Sequence, residues 1–203
     1  MPIRRGEAWG TEGSLPPDGA VVRSDAEARA VVTAARRAGA PIPPLGLLGG
    51  DLCRTLGGTG DPVRLRSGHA TVVPIDLGAV LIDGRLHWFV AHLVARRSWW
   101  RGRIVAAMNA QYLGAWDVTP RGHPNDGQLD VLDADPSLGD RWRARARLKT
   151  GTHLPHPHIT ERHVTAVQLT FDAPTPIYLD GEAVGTARAV SLRVEPDALT
   201  CIV

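Results

Sequence analysis

Two Asp-Gly dipeptides, Asp83-Gly84 and Asp180-Gly181, each stand between apolar or alternating runs, and they constrain the fold of this chain more than any other feature. Asp-Gly tolerates the positive φ angles of a two-residue hairpin turn, so each dipeptide predicts a pair of antiparallel strands. The stretch "ATVVPIDLGAVLIDGRLHWFVAHLVA" supplies the first pair. Further strand candidates are Ile104 to Leu113, Gln128 to Leu132, His163 to Phe171, Ile177 to Leu179, Ala187 to Val194 and Leu199 to Val203. Asp140 to Gly151, "DRWRARARLKTG", alternates arginine with smaller residues and reads as a half-exposed strand with one basic face. Many short strands separated by turn signals predict a β-sandwich over residues 62–203.

Residues 1–61 read differently. A short strand, Ala20 to Val22, precedes a helix from about Asp25 to Arg37, with Ser24 and Glu27 at capping-box spacing and Gly39 and Pro41 at its end. A second apolar run, Leu45 to Leu48, feeds Gly49-Gly50-Asp51 and then one or two helical turns. Strand, helix, strand and glycine loop form about one unit of a nucleotide-binding α/β layer, with no room for an earlier crossover. The fold class expected is α+β, a reduced α/β segment packed on a β-sandwich.

The 203 residues carry a formal net charge of +2, too small to argue for nucleic acid, and the arginines lack the interleaved aromatics that stack bases. Cys53 and Cys201 lie far apart without metal-ligand spacing, which favours free thiols. The N-terminal stretch has no signal-peptide core and no run is long enough to span a bilayer, so a cytoplasmic location is expected.

Several stretches together resemble the diacylglycerol kinase and related lipid kinase family, within the NAD kinase-like superfamily. "VAAMNAQYLGAWDVTPRGHPNDGQLDVL" is similar to that family's strand-Asn, glycine turn and Asp-Gly-x-Leu-Asp signature. "GTHLPHPHITERHVTAVQLTFDAPTPIYLDGEAVG" is similar to its closing Gly-x-His and Asp-Gly-Glu stretch, and "PLGLLGGDLCRTLGG" to its Pro-Leu-Gly strand, phosphate loop and following helix. The order agrees over most of residues 20–203.

The departures carry as much information. Where the family has a Gly-Gly-Asp-Gly-Thr loop, this chain reads Arg23-Ser24-Asp25-Ala26-Glu27, keeping the aspartate without the glycines. A phosphate cradle needs backbone without Cβ atoms, which can approach closely and adopt positive φ. The second loop is reduced to Gly49-Gly50-Asp51 with Arg54 kept, and the family's threonine and asparagine donors are missing. The resemblance therefore implies a degenerate lipid kinase-like protein that keeps the substrate side and the cleft, with ATP phosphotransfer weak, lost or repurposed. An active ATP-dependent lipid kinase and a non-enzymatic interaction module are the alternatives.

The resemblance also assigns residues. Asp180 and Glu182 at the Asp-Gly-Glu turn, with Asp25, are the candidate catalytic carboxylates, one of which would take the acceptor hydroxyl's proton. Gly49, Gly50, Asp51 and Arg54 are the candidate cofactor-binding residues. Asp126, with the backbone carbonyls of His123 and Gln128, matches a divalent-ion position suited to Mg²⁺, although a metal-free turn explains the same residues. ATP is not expected to bind in the ordinary way. The expected partner is a lipid or small-molecule ligand. Trp99-Trp100, flanked by Arg96, Arg97, Arg101 and Arg103, has the composition of a membrane-surface contact, a homodimer interface or a core cap. His153, His156, His158 and His163 form the densest imidazole group, which could present nitrogens to zinc or simply belong to a proline-stiffened loop.

Overall fold

A computed structural model describes residues 9–203. In chain order its elements are β1 (Thr11–Gly13), β2 (Ala20–Val22), α1 (Asp25–Ala38), β3 (Leu45–Leu47), α2 (Asp51–Thr55), β4 (Ala70–Ile82), β5 (Arg85–Phe89), β6 (His92–Arg96) and β7 (Ile104–Met108). There follow β8 (Tyr112–Leu113), β9 (Trp116–Asp117), β10 (Leu129–Ala134), α3 (Leu138–Leu148), β11 (Ile159–Val164), β12 (Ala166–Leu179) and β13 (Glu182–Ile202). The architecture is the expected one, a large, mainly antiparallel sheet with few helices.

Both Asp-Gly turns form as their chemistry demands. Asp83 and Gly84 have φ of 47° and 78°, Asp180 and Gly181 of 49° and 86°, and the strands on either side pair antiparallel. The sheet runs in the order β1-β4-β13-β12-β6-β7-β10-β11, with β5 attached to β4. Its apolar faces enclose a core containing Phe89, Leu93, Val105, Leu129, Ile177 and Leu192. Gly78 on β4 lies opposite Phe89 on β5, where an added Cβ would stand 2.2 Å from the ring, so glycine here makes room for the aromatic side chain.

The α/β segment joins the same sheet. β2 pairs parallel with β3, and β3 pairs parallel with the far end of β13, at Cys201 and Ile202. A second core gathers Val32, Leu45, Leu52, Ile75 and Leu199 with both cysteines, which are free and buried. The capping box of α1 is in place: Ser24 Oγ accepts from the Glu27 amide at 3.2 Å, and the Glu27 carboxylate accepts from the Arg23 amide at 2.7 Å. Such a cap is worth about 1 kcal/mol and fixes where the chain turns from β2 into the helix.

Residues 141–149 do not form a strand. Leu138–Leu148 is helix α3, capped by Ser137, whose hydroxyl accepts from the Asp140 amide. Its inward residues are Arg141 and Ala144, a helical interval, so the alternation of arginines is incidental to its packing. Ile104 to Leu113 is also interrupted. β7 ends at Met108, and the Asn109 side chain turns inward to donate to the backbone oxygens of Asp76 and Val90, both at 2.8 Å. Ala187 to Val194 and Leu199 to Val203 belong to one strand, β13, bulged between Glu195 and Leu199.

Candidate functional site

The candidate site forms where β2, β3 and the β12–β13 turn converge on the start of β6. Asp25, the first residue of α1, is 7% exposed and turns its carboxylate onto the start of α2, where it accepts from the backbone amides of Asp51 at 2.6 Å and Leu52 at 3.1 Å. Free amides at a helix start hold anions, and here the anion is a side chain of the same chain. Gly49 and Gly50 are glycine because of this closure. A Cβ at Gly50 would lie 2.5 Å from the Asp25 carboxylate, and Gly50 has φ of +95°; a Cβ at Gly49 would lie 2.5 Å from the Arg23 carbonyl oxygen.

Asp51 faces the opposite way. Its carboxylate accepts from the Gly114 amide, at 2.9 and 3.0 Å to its two oxygens, and lies 3.1 Å from His92 Nε2. Asp25, Asp51 and His92 bring one ligand atom each to within 4.8 Å of one another, and they are the group of His, Cys, Asp or Glu side chains gathered closely enough for a metal among the described residues. Burial opposes a charge on His92, but Asp51, Asp180 and Asp25 together outweigh it and raise its pKa.

The Asp180 carboxyl is buried and accepts from three consecutive amides, those of Val90 at 3.0 Å, Ala91 at 2.9 Å and His92 at 3.0 Å. Burial pushes its pKa up to about 6, against the lowering effect of His92 and those amides. Arg29 from α1 reaches across, 3.9 Å from Asp180 and ion-paired to Glu182, whose side chain is largely exposed. The structure thus brings Asp25, Asp51, Asp180 and Glu182 to one place and adds His92 and Arg29, which the sequence reading missed. Arg54 points elsewhere: it donates to the Gly114 carbonyl at 2.9 Å and stacks 3.8 Å over the Tyr112 ring.

A second acidic group lies around the His123–Gln128 loop. Asp126 accepts from the Gln128 amide at 2.9 Å, and His123 Nδ1 accepts from the Asn125 amide at 3.2 Å while its ring meets Trp9 edge-on. Asp76 of β4, fully buried and not anticipated from the sequence, accepts from the amides of Gly127 at 2.7 Å and Asp197 at 2.9 Å, tying this loop to the β13 bulge. Burial raises the pKa of Asp76 and Asp126 and pushes Asp130 up to about 6, with Asp126 adding to the rise at both neighbours. These carboxylates are already engaged, Asp76 by the Gly127 and Asp197 amides and Asp130 by His163, and among the described residues they are not gathered closely enough to hold a metal together.

The imidazole-rich stretch disperses. His163 pairs with Asp130, and the His156 and His158 rings contact each other at 5.8 Å on the surface. His153 instead lies 2% exposed in the wall of a mainly apolar cavity of about 120 Å³, shared with Trp99, Trp116, Leu148 and Ile159 and with the side chains of Arg141 and Arg145; Leu113 also lines it. Neither of its ring nitrogens has a hydrogen-bond partner, and burial lowers its pKa. The two tryptophans of the predicted surface pair part company. Trp99 packs edge-on against Trp116 at 5.1 Å with Arg96 4.2 Å from its ring, whereas Trp100 is 44% exposed. Among the described residues no helix is long and apolar enough to cross a membrane.

Comparison with known proteins bears on the fold. The fold matches a putative diacylglycerol kinase from Bacillus anthracis str. Sterne with a TM-score of 0.69 at 15% identity, over 91% of this chain and 77% of that one. Two further structures from the same organism, a diacylglycerol kinase and a putative diacylglycerol kinase, match with TM-scores of 0.57 and 0.58 at 14% identity. Each of these two alignments covers 79% of this chain, and they cover 66% and 69% of the other chains. No curated protein sequence matches the chain. Residues 74–203, from β4 to the end, match the YegS C-terminal NAD kinase beta sandwich-like domain, and the chain belongs to that lipid kinase-like family.

Proposed function

We propose that this chain is a phosphotransfer-impaired member of its family that binds a lipid or another small apolar molecule. The observation that carries the reading is the Asp25 carboxylate seated on the Asp51 and Leu52 amides. A nucleotide phosphate brought to those amides would have to displace a carboxylate that is held in place by the fold. It would also meet Asp51 within the same few ångströms, and like charges at such range repel by several kcal/mol. The glycines that would let a phosphate approach are already in contact with Asp25 and Arg23.

The cavity beneath α3 supports the ligand half of the reading. Its walls are mainly apolar, with the His153 imidazole and the Arg141 and Arg145 side chains as the polar exceptions, the composition of a pocket that takes an apolar chain or ring and recognises a polar group on it. It is also joined to the carboxylate site by the β8–β9 hairpin: Leu113 and Trp116 line the cavity, while Gly114 between them donates to Asp51. Any Mg²⁺ at the His123–Gln128 loop would be held by the Asp126 carboxylate with the backbone carbonyls of His123 and Gln128, where it would offset the negative charge of that carboxylate.

A second reading, an active lipid kinase, is favoured by Asp180, a carboxyl with a pKa near 6 next to the Arg29–Glu182 pair, the range expected of a general base. The two are separated by incubating the protein with Mg²⁺, γ-labelled ATP and mixed lipid vesicles, with native mass spectrometry on protein purified from its host. No transfer above a no-protein control, together with a retained apolar ligand, supports the first reading. Stoichiometric turnover of ATP onto a lipid hydroxyl, lost in Asp180→Asn, would establish the second.

A further inference from the structure

One flank of α3, about 100° round the helix from its inward residues Arg141 and Ala144, carries its own signal. Leu138 and Trp142, one turn apart on the helix, are 59% and 70% exposed, and Trp100 at 44% lies beside them, linked through Arg145, whose guanidinium is 5.4 Å from the Trp100 ring. At a helical interval of 3.6 residues, Leu138, Trp142, Arg145 and Lys149 fall within about 60° of one another on the wheel. The same wheel turns Ala144 and Leu148 toward the cavity. The stripe is therefore apolar at its start, aromatic in its middle and cationic at its end.

We propose that this stripe docks the protein on an anionic phospholipid bilayer, with Trp100, Leu138 and Trp142 entering the headgroup boundary and Arg145 and Lys149 meeting the lipid phosphates. Charge complementarity selects this occupant. The one acidic residue of the helix, Asp140, is paired with Arg143 at 3.6 Å, and exposed tryptophan beside arginine and lysine suits the wet, anionic edge of a bilayer. This inference rests on the ligand-binding reading above and extends it. Trp100 and Arg145 line the cavity and also belong to the stripe, so docking would bring the cavity close to the membrane that supplies its ligand.

The test is flotation of the purified chain with vesicles of equal phosphatidylglycerol and phosphatidylcholine, and with phosphatidylcholine alone. The wild type should float with the anionic vesicles, release as salt rises, and stay unbound to the neutral ones. The double variant Leu138→Ser, Trp142→Ser should lose at least tenfold in partitioning. Val63→Ser, an equally exposed apolar residue outside the stripe at 75% exposure, should lose less than twofold. Far-ultraviolet circular dichroism and melting temperature confirm that each variant is folded, which its exposure leads us to expect. Equal flotation of wild type and double variant, or no flotation of the wild type, overturns the proposal. So does a dimer or a duplex-DNA complex broken by the same double variant in the absence of vesicles. Native mass spectrometry reads the cavity separately: flotation lost in the double variant with no ligand retained by the wild type would sink the cavity reading alone, and a retained ligand with no flotation of the wild type would sink the docking alone.

Discussion

Replacing Asp25 by alanine should destabilise the molecule, and the size of the effect can be worked from its bonds. The carboxylate accepts from two backbone amides, Asp51 N at 2.6 Å and Leu52 N at 3.1 Å. Leaving a buried donor without an acceptor costs about 1–3 kcal/mol each, and hydrogen bonds to a charged acceptor sit toward the upper part of that range. The Leu52 end is in the core, where water does not replace the lost oxygen, while the Asp51 amide is only part-buried and recovers some of the loss. The expected total is about 3 kcal/mol for Asp25→Ala and about half that for Asp25→Asn, whose carbonyl oxygen still accepts one bond. Urea unfolding followed by circular dichroism reads both, with the midpoint shifting and the slope unchanged. A loss below about 1 kcal/mol in Asp25→Ala would mean that these amides are not held by Asp25, and the view of an occupied phosphate loop would be refuted.

Three other outcomes are expected. Gly78→Ala forces a methyl group against the buried Phe89 ring and should cost about 1–3 kcal/mol, measured by the same unfolding curve. His153→Leu removes an unpaired buried imidazole, so it should raise the melting temperature by a few degrees while abolishing any retained cavity ligand in native mass spectra. Asp180 and Asp130 should make the fold lose stability as pH rises between about 4 and 6, and Asp180→Asn should weaken that dependence. Between about pH 4 and 6 the native chain keeps protons on Asp180 and Asp130 that the unfolded chain has released, so stability falls as pH rises. His92, raised above its ordinary value, adds stability that is lost as pH climbs through its folded pKa, which acts in the same direction. His87, His123 and His153, whose pKa values burial lowers, act the other way, so the reading is the comparison with Asp180→Asn; an equal change of melting temperature with pH in wild type and Asp180→Asn would contradict the role of Asp180.

What could be read from the sequence was local. The hairpins at Asp83-Gly84 and Asp180-Gly181, the Ser24–Glu27 box and the helix it starts depend on neighbouring residues, and all formed as expected. Arginine spacing in α3 misled because alternation was taken for a strand, although Ser137 three residues before Asp140 was the signal for a helix start. The acidic members of the site were recovered from the family's motifs, but His92 was not. It lies inside the apolar run "WFVAHLVA", and only tertiary packing brings it to Asp51. Asp76 left a visible trace, a lone carboxylate in the apolar run "VVPIDLGAV", but its partners Gly127 and Asp197 lie 51 and 121 residues away. The cavity could not be read at all, since its walls come from β7, β9, α3 and the His153 loop.

Isothermal titration of the wild-type chain with ATP and Mg²⁺ bears most directly on whether one carboxyl group has taken the place of a nucleotide's phosphates. The account predicts no saturable heat up to millimolar nucleotide. Micromolar binding that weakens when Asp51 is changed to alanine would contradict it.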